Sequence, residues 1–363
     1  MRNIRIYILF SLLTQISFGQ NPYKFSSQIL SAYHKDTTSL RDDVAAWDLG
    51  NIGEYQLMLC VWDTGRYIDP IQMRYHHPRS TNLTLSSNDS LYFSKFKPKN
   101  AVEYIAQMAK TEKIIIINEA HQQPMHRVFT ESLLQALYDN GFRYFGAETL
   151  DYTDSTLNER RYPVLKSGGY TVEPQYGNLI RSALRIGYTV FAYETRNNSD
   201  GKQREIDQAN NIKQILIKDS TAEIFLHCGF GHNTESYVGG ALEYLMGGRL
   251  KEFTGIDPLT INQIDMTETS SIKYDDPYFK RTTLDYDAVF VDSTGQTFYG
   301  KQGYKFIDMQ VYHPRTKWID GRPNWVFKNN KVSVSILKHI KIGFPCLVLA
   351  YMDNEDIYNV TQF

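Results

Sequence analysis

The chain has 363 residues, with 39 Lys plus Arg against 40 Asp plus Glu, and is 42% hydrophobic and 13% aromatic. This balance belongs to a packed globular protein and excludes long disorder, collagen and coiled-coil classes. A formal net charge of −1 and a sequence pI near 6.8 give no electrostatic reason to expect nucleic acid or an anionic membrane as partner. Cys60, Cys228 and Cys346 are widely spaced and odd in number, which disfavours a disulfide framework and a Cys-based zinc site.

Residues 1–19 read as a cleavable export signal. Arg2 and Arg5 precede the apolar run Ile6 to Leu13, and Ser17 and Gly19 supply the small residues of a cleavage site. The run is too short to span a bilayer comfortably, and no later segment approaches the length of an integral membrane helix. Losing Arg2 and Arg5 would leave an exported, periplasmic or secreted, slightly more acidic protein. Residues 20–100 read as a helical preface, with signals at Ser27 to His34, Leu40 to Leu49 and Tyr55 to Trp62. The stretch 76–99 is polar and turn-rich.

Residues 101–260 read as an α/β core. Lys113 to Asn118 is a β-branched, continuously apolar run, the mark of a strand buried on both faces of a parallel sheet. Pro124 and the stripe Met125, Val128, Phe129, Leu133, Ala136, Leu137 predict a helix that ends at Asn140-Gly141. The alternation continues with a strand at Arg143 to Glu148, a helix at Asn178 to Ile186, a strand at Tyr188 to Glu194, and a helix at Arg204 to Lys218. A strand at Ala222 to Cys228, a helix at Ala241 to Met246 and a strand at Glu252 to Ile256 complete it. The pattern predicts an open, mostly parallel sheet with flanking helices. Residues 261–363 read as a β-rich extension, either an appendage or extra strands at the sheet edge. Its candidate strands are Asp287 to Asp292, Met309 to Tyr312, Trp325 to Phe327, Val332 to Leu337 and Cys346 to Met352. A short echo links Tyr75-His-His-Pro-Arg79 with Tyr312-His-Pro-Arg315.

In open parallel sheets ligands bind beyond the carboxyl ends of the strands. Here those positions carry Glu119 and His121, then Glu148, then Tyr193 and Glu194, then His227 and His232. Singly, each has a duller reading. Glu119 or Glu148 could cap a loop or pair with a buried Arg. His227, inside an apolar strand, reads as a core histidine, as does His126 at the edge of its helix stripe; Arg127 beside Glu131 reads as a weak surface ion pair, and Cys228 as small buried packing. Together, the recurring carboxylates and imidazoles predict a functional crevice. His121 lies on a strand-to-helix loop, where free N–H groups favour an anion or oxyanion. Gly229-Phe-Gly-His232 puts a second imidazole on a glycine-rich loop. These groups suit either a His general base oriented by Glu or a single divalent metal site.

Asn118-Glu-Ala-His121, Gly146-Ala-Glu148 and Gly229-Phe-Gly-His232, in this order, together with the helix Arg204 to Ile212, resemble the superfamily that joins erythromycin esterases, ChaN-like haem-binding proteins and Tiki/TraB metalloprotease-like proteins. The resemblance covers about residues 101–260, and Asn118 stands where the first motif has glycine. It implies an α/β fold and, on its esterase branch, a hydrolase acting on a small-molecule ester. His121 would be the general base, Glu119 and Glu148 would orient it, and His232 would stabilise the oxyanion, with Arg204 pairing a site carboxylate. Arg127, Tyr193, Glu194, Arg204 and His227 would contact substrate. Two other branches stay open: a metallohydrolase with His121, Glu148 and His232 on a divalent metal, and a haem or small-ligand binder using a His or Tyr193 as axial ligand.

Overall fold

The computed structural model describes residues 4–9, 23–68, 83–196, 201–300, 306–329, 331 and 346–356. Strand β1 (Ile4–Leu9) precedes the helices α1 (Ser26–Lys35), α2 (Arg41–Asn51), α3 (Tyr55–Tyr67) and α4 (Ser87–Phe93). The body then runs β2 (Lys97–Asn100), α5 (Ala101–Met108), β3 (Ile114–Glu119), α6 (Pro124–Asp139), β4 (Tyr144–Ala147), α7 (Leu157–Arg160), α8 (Pro174–Ile186), β5 (Thr189–Ala192) and α9 (Gly201–Lys218). It continues with β6 (Ile224–Gly229), α10 (Met246–Thr254), β7 (Leu259–Asn262), β8 (Ala288–Val291), β9 (Met309–Tyr312), β10 (Trp318–Ile319), β11 (Arg322–Pro323) and β12 (Leu347–Met352).

Eight strands form one sheet in the order β2-β8-β9-β7-β3-β6-β4-β5. Neighbours from β9 to β5 are parallel, whereas β8 runs antiparallel to both β9 and β2. This is the expected α/β sheet, and residues 261–363 contribute extra strands at its edge. The period-two alternation of β3 explains its apolar run: Ile115 and Ile117 face the core of α5, α6 and α8, while Ile114 and Ile116 face α9 and α10. Helices α1 to α3 pack on Met125 and Val128 of α6, with Trp325 sealing the contact. No helix among the described residues is long and apolar enough to cross a membrane.

Several boundaries differ from the sequence reading. The predicted helix at Ala241 to Met246 starts only at Met246, as α10, which runs through the first three residues of the predicted strand at Glu252 to Ile256, and the strand comes later as β7. Gly247 and Gly248 let α10 begin against the backbone of Asn233 and Glu235, where a Cβ would meet the carbonyl oxygens at 2.6 and 2.5 Å. Gly255, at φ +69°, then ends the helix, its N–H bonding Lys251 O. Trp325 to Phe327 lies in a 3-10 turn, Asn324–Phe327, instead of a strand. Edge strand β2 is exposed throughout and contains Pro98, so no apolar period announced it. The candidate strand at 332–337, residues 10–22 and the 75–79 half of the sequence echo lie outside the described residues. Strand β1, part of the expected export signal, pairs antiparallel with β12.

Candidate active site

The parallel register sets Glu119 beside Gly229, and Ala147 beside His227. Asn118, the departure from glycine, fastens three strand ends: its amide donates to Phe230 O (2.6 Å) and Asn262 Oδ1 (3.1 Å), and its Oδ1 accepts from the Gln263 N–H (2.9 Å). The strand ends therefore form one rigid floor.

Glu119 is buried and takes four donors. Arg127 Nε and Nη2 bind it at 2.6 and 2.7 Å, His121 Nδ1 lies 2.9 Å from Oε1, and His227 Nε2 lies 2.9 Å from Oε2. Burial opposes its charge, but Arg127, His227 and the histidine hydrogen bonds outweigh burial and hold its carboxyl well below the usual range. An ionised carboxylate only accepts, so His121 must donate from Nδ1, and in the neutral ring this leaves Nε2 as the acceptor. That nitrogen meets the Tyr170 hydroxyl at 3.1 Å. The ring is 23% exposed and lies between Tyr170 and Phe230.

The second half of the site is built on Glu148, just past β4. It accepts from Arg204 Nη2 (2.6 Å) and from the Gly229 N–H, and His232 Nε2 is 3.6 Å away. Arg204 also binds both oxygens of Glu194, at 2.9 and 2.6 Å, and His232 Nδ1 lies 2.9 Å from Glu205. Burial opposes the His232 cation, yet Glu205 and Glu148 outweigh it and raise the ring's pKa. Glu148, despite burial, is held below its ordinary value by His232, His121 and Arg204.

Gly229 joins the halves. A Cβ there would lie 2.7 Å from His121 Nε2 and 2.8 Å from Glu148 Oε2, so only glycine leaves room for both side chains to converge. The residues that follow Gly229 and Glu148 have unusual backbones, with Phe230 at φ +40° and Thr149 at φ +63°. Non-glycine residues rarely adopt such angles, and they concentrate at functional sites.

The geometry corrects several assigned roles. Arg127 is fully buried and binds Glu119 and Glu173 (2.8 Å), so it is no surface ion pair and cannot touch substrate. Tyr193 and His227 are equally sealed, the Tyr193 hydroxyl donating to His227 O (2.8 Å) and His227 Nδ1 lying 3.2 Å from Thr130 Oγ1. Glu119, saturated with donors, positions His121 and takes no part in contact with solvent. Glu148 accepts hydrogen bonds from Arg204 and the Gly229 N–H and reaches His121 through its charge alone. His126 is buried, as its place on the stripe implied, and takes the Ala120 N–H on Nδ1 (3.0 Å). Cys228 is buried packing, with burial pushing its thiol pKa far up. Four residues escaped the sequence reading: Tyr170, Glu173, Glu205 and Gly229 in its steric role. Glu173 had a local signal, since it caps α8 immediately before Pro174.

Neither a metal at these residues nor haem on Tyr193 fits this arrangement. Among the described residues no three His, Cys, Asp or Glu side chains could hold one metal ion. The Arg204 guanidinium already fills the position between Glu148 and Glu194 that a cation would take. Tyr193, buried with its hydroxyl committed, offers no axial ligand.

No family model matches this chain, and neither does any curated protein. Among solved structures it is similar to the type III effector HopBA1, at 12% identity over 61% of this chain and 97% of that one, with TM-score 0.39. It is also similar to RRSP, a MARTX toxin effector domain from Vibrio vulnificus, at 16% identity over 76% of this chain and 51% of that one, with TM-score 0.34. At these scores the likenesses carry no argument about activity.

Proposed function

We propose that the chain is an exported, metal-independent hydrolase of the erythromycin esterase type that cleaves an ester or related acyl bond. The observation that carries this reading is the Glu119–His121 pair: a buried, ionised carboxylate fixes Nδ1–H and leaves Nε2 opposite the Tyr170 hydroxyl, on a side chain that is 23% exposed. Water takes the place of Tyr170 at Nε2, gives that nitrogen a proton and attacks the acyl carbon. Burial, with Glu148 and Glu119 nearby, keeps the Tyr170 phenol neutral, so it serves as a donor. The tetrahedral oxyanion forms opposite Arg204, whose Nη1 lies 3.2 Å from His232 Nε2. Its collapse breaks the bond to the leaving oxygen, which takes the proton from His121 Nε2, and an acid and an alcohol are released.

The test is hydrolysis of a panel of short p-nitrophenyl esters by wild type and His121→Ala. We expect the variant to fold normally and lose about 10²–10⁴-fold in kcat/KM, with wild type insensitive to chelator. Full activity in the variant, or activity abolished by chelator and restored by a divalent ion, would sink the reading.

A further inference from the structure

The Tyr170 hydroxyl has a partner unlike those of the structural phenols around it. It meets His121 Nε2 at 3.1 Å, its one hydrogen bond among the described residues. Tyr176, Tyr188 and Tyr193, all buried, donate instead to the backbone carbonyls of Glu148, Leu134 and His227, which is how a core phenol satisfies its polar end. Tyr170 gives its hydrogen to the nitrogen that acts as base.

Its ring is well held. Trp47 of α2 lies at 4.8 Å, Tyr176 stands edge-on at 5.8 Å, and the His121 ring is at 4.7 Å. The backbone is tied to the residue after Glu148: the Tyr170 N–H donates to Thr149 Oγ1 (3.3 Å), and the Gly169 N–H donates to Thr149 O (3.2 Å). Thr149, at φ +63°, therefore links the Glu148 half of the site to the phenol that faces His121. Tyr170, like His121, is partly exposed, so a substrate can reach both.

His121 has little freedom. Glu119 takes its Nδ1 proton and Arg127 fixes Glu119, so Nε2 keeps one direction. A nitrogen that has just drawn a proton from water faces the attacking oxygen, whereas the leaving oxygen lies elsewhere on the tetrahedral carbon. A hydroxyl is less constrained, because it has one hydrogen and two lone pairs whose directions change by rotation about the C–O bond. While His121 is neutral, Tyr170 donates to Nε2. Once Nε2 carries a proton, the same oxygen accepts from it, and the phenol hydrogen is free to turn to a neighbouring oxygen.

We propose that Tyr170 is a second catalytic residue, a relay that carries the proton from His121 Nε2 to the leaving oxygen. Water displaces the hydroxyl and attacks; with the water consumed, the phenol oxygen returns to Nε2–H. As the bond between the acyl carbon and the leaving oxygen breaks, its electron pair stays on that oxygen. The leaving oxygen takes the phenol hydrogen while the phenol oxygen takes the Nε2 proton. The alcohol departs, His121 is neutral again, and the hydrogen now on Tyr170 lies toward Nε2, which restores the resting hydrogen bond. The two transfers occur together, because burial, with Glu148 and Glu119 close by, disfavours a free phenolate. The relay deepens the esterase reading and rests on it.

The experiment compares wild type with Tyr170→Phe on the p-nitrophenyl, phenyl and ethyl esters of one acid, chosen as the acyl group that wild type cleaves fastest as its p-nitrophenyl ester. The variant keeps the ring that packs on Trp47 and Tyr176 and loses the bond to His121. p-Nitrophenolate departs without an acid, whereas ethoxide needs a proton. The variant's kcat/KM should therefore stay within about threefold of wild type on the p-nitrophenyl ester and fall about 10²-fold on the ethyl ester, with the phenyl ester between. The ratio of two esters within one preparation cancels the folded fraction, so a weakened fold cannot imitate this result. An equal loss on all three esters, or no loss on any, would overturn the relay and leave His121 as the base. Wild type that cleaves the p-nitrophenyl ester alone lacks a leaving-group acid, which also overturns the relay. If wild type cleaves no p-nitrophenyl ester, the esterase reading itself falls, and the relay with it.

Discussion

Two histidine–carboxylate pairs lie at the carboxyl ends of parallel strands in this one sheet. His121 Nδ1 is 2.9 Å from Glu119, which Arg127 braces; His313 Nδ1 is 2.8 Å from Asp287, which Lys328 braces at 2.5 Å. Beyond that the pairs diverge. His313 is fully buried against Phe129 and His126 of α6, and its Nε2 is 3.1 Å from Gln263 Oε1, itself tied through its amide to Asn118. His121 keeps one edge exposed, next to a glycine with no Cβ and a strained loop. An oriented imidazole is therefore not enough for chemistry. What separates the two is whether the second nitrogen of a sealed ring faces a structural amide, or that of a partly exposed ring faces the Tyr170 hydroxyl, which water can replace.

The hardest way to break the open pair is from underneath. Arg127→Met would leave Glu119 and Glu173 buried without their cation, and losing one member of such a network costs about 3–5 kcal/mol. We expect urea denaturation to show a loss of that size, with the accompanying fall in hydrolysis exceeding what the smaller folded fraction explains. An unchanged midpoint would mean that the ion pair network is not what holds His121.

The sealed pair should fail differently. His313→Ala removes a ring that bonds Asp287 and Gln263 and opens a void beside α6, so about 2–4 kcal/mol of stability should be lost. Hydrolysis per folded molecule should persist, because this ring touches nothing in the crevice. His121→Ala should show the opposite pattern, with stability kept and rate lost. If both variants lose rate while both remain folded, the distinction between the pairs collapses.

Sequence reasoning found the strand ends because strands buried on both faces are the loudest pattern in an α/β chain, and each was followed by a titratable residue. It could not rank those residues. Arg127 sits off the apolar stripe of α6 and so looked exposed, yet Glu119 on one side and Glu173 on the other make the interior its better solvent. His227 and Tyr193 occupy the right strands but face inward, a matter of which side of a pleat is covered. Tyr170 sits in an irregular stretch between α7 and α8, where no period speaks, and the start of α10 depends on glycines meeting a distant loop.

The mildest test uses acid on the sealed pair alone. Burial opposes the Asp287 charge, but His313 and Lys328 bring its pKa down from 3.8 to about 2. A folded-state pKa below the unfolded one stabilises the protein above the unfolded value, and that contribution disappears as pH falls through the folded one. Asp287 should therefore supply about 2 kcal/mol at neutral pH, lost progressively between about pH 4 and pH 2. Glu119 and Glu148 are also depressed and steepen the same acid limb, so total stability against pH would not isolate Asp287. The difference between wild type and Asp287→Asn does isolate it. That difference should shrink across the acid window while the variant keeps its rate per folded molecule at neutral pH. A difference that stays constant with pH would show that the Asp287 carboxylate contributes shape to the sealed pair, and its charge nothing.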